Sequence, residues 1–64
     1  MKNLKGKLGK ISFKDGTHRI LLFLNSYFDD ENNKVVNFMN LTKSIVIKDF
    51  SLDELYEKWK LRIL

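Results

Sequence analysis

Very few side chains in this 64-residue chain could carry chemistry. His18 is the only one that titrates near neutral pH. It opens the most apolar stretch of the chain, where a lone histidine is expected to bond a nearby carbonyl rather than act as a catalytic base. The chain has no cysteine, which removes a thiolate nucleophile, a disulfide framework and a thiolate metal site together. One histidine cannot anchor zinc within one chain, no glycine-rich phosphate loop is present, and no histidine and carboxylate cluster has metal-ligand spacing. The run Asp29-Asp30-Glu31-Asn32-Asn33-Lys34 offers acids and amides. It lacks the alternating oxygen ligands, central glycine and twelfth-position glutamate of a calcium loop, so it reads as a solvated turn. The expectation is a chain that is not an enzyme and holds no cofactor or metal.

Two other sets of residues point to binding. Residues 1–19 hold six basic side chains against Asp15 alone, whereas residues 20–64 hold six against seven acids, so the surplus behind the net charge of +4 is N-terminal. Lys5, Lys7, Lys10, Lys14 and Arg19 could contact nucleic acid or an acidic partner, with Phe13 stacking on a base. The competing reading is solubility and the protection of an edge strand by lysines. The second set is aromatic and apolar. Phe23, Tyr27 and Phe38 are expected as anchors of a protein contact on the strand face opposite the helix, because aromatic side chains dominate interface energetics.

The elements that position these residues are legible in outline. Leu8, Ile11 and Phe13 alternate with Lys10, Ser12 and Lys14 as a half-buried strand, with Gly9 a candidate bulge. Asp15-Gly16 predicts a tight hairpin turn with both residues at positive φ. His18 to Phe28 is apolar on both faces, which predicts a central strand with the helix on one side and another layer or a partner chain on the other. Val35 to Leu41 and Ile45 to Ile47 follow as strands, joined by a turn or forming one long kinked strand. Ser51 and Glu54 have capping-box spacing, so a helix starts at Leu52, with Phe50 and Leu55 placed to close as a hydrophobic staple. Leu52, Leu55, Tyr56, Trp59 and Ile63 recur at helical steps on one face. Met1 to Gly6 has little periodicity and is expected as a frayed arm.

The predicted fold is a single α+β domain: a small antiparallel β-meander of three to four strands with one C-terminal helix packed on one face. A chain of this length buries only about 60% of the surface its unfolded form exposes, so dense aromatic packing or a homodimer is expected to make up the difference. No apolar run approaches the roughly 20 residues of a membrane helix, and no signal-peptide block follows the N-terminal lysines, which points to a cytoplasmic protein without a membrane partner.

The succession His18-Arg19-Ile20-Leu21-Leu22-Phe23-Leu24, then Lys34-Val35-Val36-Asn37-Phe38-Met39-Asn40, then Ser51 to Trp59 resembles the C-terminal half of the papain-like, bacteriocin-processing peptidase domain of ABC transporters. The resemblance implies that His18 matches the catalytic histidine and Asn40 the orienting aspartate, although the family's Asp-Pro pair is missing. The half that carries the catalytic cysteine and the oxyanion-hole glutamine has no counterpart in this sequence, so the resemblance implies a split or degenerate half rather than a peptidase. The reading that joins these observations is a small non-catalytic protein-interaction module. An inhibitor or regulator of a larger protein, of the kind phages and mobile elements encode, would suit it. The alternatives are a small basic nucleic-acid-binding β domain and the peptidase half.

Overall fold

The computed structural model describes residues 4–64, which form a five-stranded antiparallel sheet with one short helix packed on it. The strands are β1 (Leu8–Ser12), β2 (His18–Phe28), β3 (Lys34–Asn40), β4 (Ile45–Ser51) and β5 (Arg62–Ile63), with α1 (Leu52–Lys58) between the last two. Their spatial order is β4-β3-β2-β1-β5, so the meander runs straight from β1 to β4 and only the C-terminal strand returns across the sheet to the free side of β1. The α+β class, the meander and the helix on one face are as the sequence leads one to expect.

The turns follow from their residues. Phe13 N–H donates to Thr17 O and Gly16 N–H to Phe13 O, while Asp29 N–H donates to Asn33 O and Asn32 N–H to Asp29 O, so the first two hairpins close with one and the same pattern. Each has a three-residue loop whose last residue is left-handed, Gly16 at φ 89 and Asn32 at φ 64. Only Gly16 of the Asp-Gly pair takes positive φ, which corrects the expectation for Asp15. Asp15 instead uses its carboxylate as the acceptor for both the N–H and the hydroxyl of Thr17. Residues 35–51 are two strands, parted by a turn in which Asn40 Oδ1 accepts the N–H of Thr42 and Ser44 is left-handed.

Two irregularities shape the sheet. The β2/β3 register jumps between Phe23 and Asn25, leaving Leu24 as the extra residue, and the β3/β4 register jumps between Val36 and Phe38, where Asp49 takes φ 58. Gly9, by contrast, is no bulge, since β1 pairs with β2 without a break from Leu8 to Ser12. It marks a close approach: a Cβ there would lie 2.8 Å from Leu61 Cδ1 and 3.0 Å from Phe23 Cε2.

The helix begins where its cap requires, with Ser51 Oγ accepting the N–H of Glu54 at 3.3 Å. It buries Leu52 and Leu55 against a core of Ile11, Leu21, Phe23, Val36, Phe38 and Leu61, with Phe50 packed at the edge as the staple predicts. The expected helical face does not reach Ile63. Lys60 turns left-handed at φ 55, Leu61 N–H returns to Leu55 O, and the chain then pairs with β1. Leu61 fills the core position that helical spacing assigned to Ile63, and Tyr56 is exposed. The N-terminal arm is tied down from its first described residue: Leu4 packs on the core, Lys7 N–H donates to Leu4 O, and Gly6 N–H to Phe23 O. The part of the expected frayed arm that falls on 1–3 lies outside the described residues.

Candidate interaction surfaces

The helix covers one face of the sheet, and strand alternation fixes what the other face shows. Before its bulge, β2 points Leu21 and Phe23 into the core, so Ile20, Leu22 and Leu24 face away from the helix. Cross-strand pairing sets Leu8 and Met39 beside Leu22, and Val46 beside Met39. Leu64, just past the end of β5, donates its N–H to Leu8 O and completes a row of five apolar residues across the sheet. A second row holds Arg62, Lys10 and Ile20, with Leu41 N–H bonded to Ile20 O. Leu8, Leu41, Val46 and Leu64 are exposed and Ile20, Leu22, Leu24 and Met39 only partly buried. None of the eight belongs to the core cluster. Of this open apolar face, only the central strand was anticipated from the sequence.

The expected contact anchors divide between the two faces. Tyr27, 40% exposed, lies on the open face, opposite Val35. Phe23 and Phe38, 0% and 5% exposed, are core residues that meet edge to face at 6.2 Å between ring centroids, so their assignment to the face opposite the helix is corrected. The cause is the bulge at Leu24. Phe23 and Tyr27 share a parity in the sequence, and the extra residue between them sends them to opposite sides.

Beyond the bulge the open face turns polar. Tyr27 donates its hydroxyl proton to Asp49 Oδ1, Asp49 N–H donates to Asn37 Oδ1 at 2.7 Å, and Asn37 Nδ2 donates to Asn25 Oδ1 at 2.6 Å. The chain of bonds crosses β2, β3 and β4 and touches both irregularities. Donating to Asp49 favours the protonated phenol, so the Tyr27 pKa is raised above its ordinary value. At the first hairpin, the Thr17 hydroxyl and then its N–H stabilise the Asp15 carboxylate and lower its pKa.

The basic residues do not share one face. Lys10 lies on the open face opposite Ile20, whereas Arg19 pairs with Ile11 on the helix side, donates to His18 O and holds its guanidinium 5.2 Å over the Phe13 ring. Lys14 is in the first hairpin loop, Lys7 lends its carbonyl to Phe23 N–H, and Lys5 lies in the turn before β1. His18 finds the Ser12 hydroxyl, with Oγ 3.1 Å from Nδ1, rather than a carbonyl. It shares the open face with Ile20, whereas Asn40 pairs with Leu21 and faces the helix side, so the structure does not bring His18 and Asn40 together. Among the described residues, no group of three or more His, Asp or Glu side chains converges as metal ligands.

On the helix side, Phe13 and Trp59 meet edge to face at 5.1 Å and stand between two adjoining clefts. One, of about 200 Å³, is apolar and lined by Leu21, Phe38 and Leu55, with Asn40 at its rim. The other, of about 610 Å³, is lined by Lys14, Lys58, Lys60 and Glu57. Trp59 Nε1 is buried without a hydrogen-bond partner. Nothing in the sequence marks this cleft, because the left-handed Lys60 that ends the helix has no glycine to announce it.

Compared with known proteins, the chain matches no family model, no curated protein and no solved structure. No helix among the described residues is long and apolar enough to cross a membrane.

Proposed function

We propose that this chain is a small non-catalytic protein-interaction module that docks through its open sheet face, with a second copy of itself as the occupant. The observation that carries the reading is the unbroken row Leu64, Leu8, Leu22, Met39 and Val46 on a face that none of the described residues covers. Five strands at about 4.8 Å spacing make a face roughly 20 Å wide, and the span from Ile20 to Leu24 adds about 13 Å of strand before side chains are counted. A patch of a few hundred Å² is comparable with the largest that an ordinary monomer exposes, and such patches are often functional. A two-fold contact requires only that the patch match itself, which a flat row of aliphatic side chains does.

The free edge of β4 is a poorer candidate. It is broken at Asp49 and carries Lys48, both of which disfavour strand addition. The dispersal of Lys5, Lys7, Lys10, Lys14 and Arg19 over two faces and the loops makes nucleic acid the second reading. The test is light scattering on the wild type and on Leu22→Lys and Met39→Lys, with amide spectra to confirm the fold. A wild-type dimer that both variants dissociate supports the reading. A wild-type monomer, or a dimer indifferent to both charges, overturns it, and mass gained on adding an oligonucleotide and lost with salt would favour the nucleic-acid reading instead.

A further inference from the structure

The cleft around Phe13 and Trp59 lies on the opposite side of the sheet from the proposed docking face, and its features are independent of that face. Burying an indole N–H without an acceptor costs about 1–3 kcal/mol, so native structures seldom leave one unpaired. Here the orphan donor belongs to a residue that lines both an apolar pocket and a cleft carrying three lysines against one glutamate. An apolar recess, an unused donor and a surplus of positive charge converge on one chemistry. We propose that this cleft binds a small hydrophobic carboxylate, its aryl or branched alkyl group in the apolar pocket and its carboxylate taken by the Trp59 indole N–H and the lysines.

The sizes agree with that assignment. An enclosed cavity of about 150 Å³ accommodates benzene, so an open groove of about 200 Å³ has room for one ring or a short branched chain. Lys14, Lys58 and Lys60 line the adjoining cleft and act as compact point charges for an anion rather than as a bidentate fork. The indole N–H is closed off in the unliganded chain, so entry requires a side chain to move. Phe13, part-exposed and lining both clefts, is the one placed to do so. Arg19, which lines neither cleft, holds a further positive charge over the Phe13 ring.

Trp59 is the single tryptophan, so one indole cross-peak and one fluorophore report on the site directly. The experiment is a titration of the ¹⁵N-labelled protein with 3-phenylpropionate, with ethylbenzene as the probe that lacks an acceptor. The expected result is a saturable downfield shift of the Trp59 Nε1–H with 3-phenylpropionate and none with ethylbenzene. Binding should weaken severalfold in K58Q/K60Q while the amide spectrum stays native. A stationary indole peak, an equal response to ethylbenzene, or unchanged affinity in the lysine variant overturns the proposal. Because the readout is the indole itself, failure here leaves the oligomer test of the open face untouched, and the reverse also holds.

Discussion

Replacing Gly9 with alanine probes the joint on which the C-terminal return depends. The new Cβ would lie 2.8 Å from Leu61 Cδ1 and 3.0 Å from Phe23 Cε2, against the roughly 3.5–4.0 Å at which carbon atoms normally rest. Neither neighbour has room to yield, since Leu61 is 5% and Phe23 0% exposed. Forcing a methyl into such packing costs about 1–3 kcal/mol. The loss of backbone freedom in the unfolded alanine chain offsets about 0.4–1 kcal/mol of that, leaving a net loss of roughly 1–2 kcal/mol. For a domain of this size each kcal/mol lowers the melting temperature by about 4–8 °C, so Gly9→Ala should melt roughly 5–15 °C below the wild type in a circular-dichroism scan. Truncating Leu61 to alanine in the same chain removes the nearer clash, and the double variant should lose less than the sum of the two singles. A Gly9→Ala protein as stable as the wild type, or strictly additive losses, would mean that β5 and Leu61 do not dock on β1 as described.

Two further outcomes are expected. Because the folded state holds the Tyr27 proton more tightly than the unfolded chain does, its contribution to stability is complete below the ordinary phenol pKa of 10.0 and is lost as pH rises through the higher folded value. Denaturant midpoints of wild type and Tyr27→Phe should therefore differ at pH 9 and converge well above pH 10, and a constant gap would show that the phenol is not the titrating group. Trp59→Ala should cost about 2–4 kcal/mol, somewhat below the 3–5 of a fully buried tryptophan, because the ring is only partly enclosed beside Phe13; an unchanged chemical-denaturation midpoint would remove Trp59 from the packed side of the sheet.

The parts legible in the sequence are those announced by residues with one strong local preference. Ser51 with Glu54 fixed the helix start, Gly16 the first hairpin, and the Asp29–Asn33 cluster the second. The parts that escaped depend on residues doing what their type disfavours. Leu24 at a bulge and Lys60 in the left-handed region carry no glycine or asparagine to mark them, and each decides where several other side chains go. The first breaks the parity that would have kept Phe23 and Tyr27 on one face. The second cuts the helix and yields a two-residue strand too short to show periodicity. The open face was legible as the double-sided apolarity of β2, whereas the row across it needed the pairings to Leu8, Met39 and Val46. The cleft beside Trp59 was invisible because its walls come from β1 to β4 and the helix together.

The chain of bonds from Tyr27 through Asp49 and Asn37 to Asn25 has a consequence for how the sheet finds its alignment while folding. A strand with one greasy face cannot slide by a single residue without exposing that face, but β2 is apolar on both sides from Ile20 to Leu24, and a slip there exchanges one greasy face for another at little cost. Hydrophobic collapse by itself is therefore a poor counter of residues in the middle of this protein. The two amides count for it, because Asn25 Oδ1 accepts from Asn37 Nδ2 and Asn37 Oδ1 accepts the Asp49 N–H in one alignment, and a shift of either neighbour leaves them unmatched. The two asparagine amides and the Asp49 N–H thus act as the vernier by which the central strands are set, before either face acquires anything to bind.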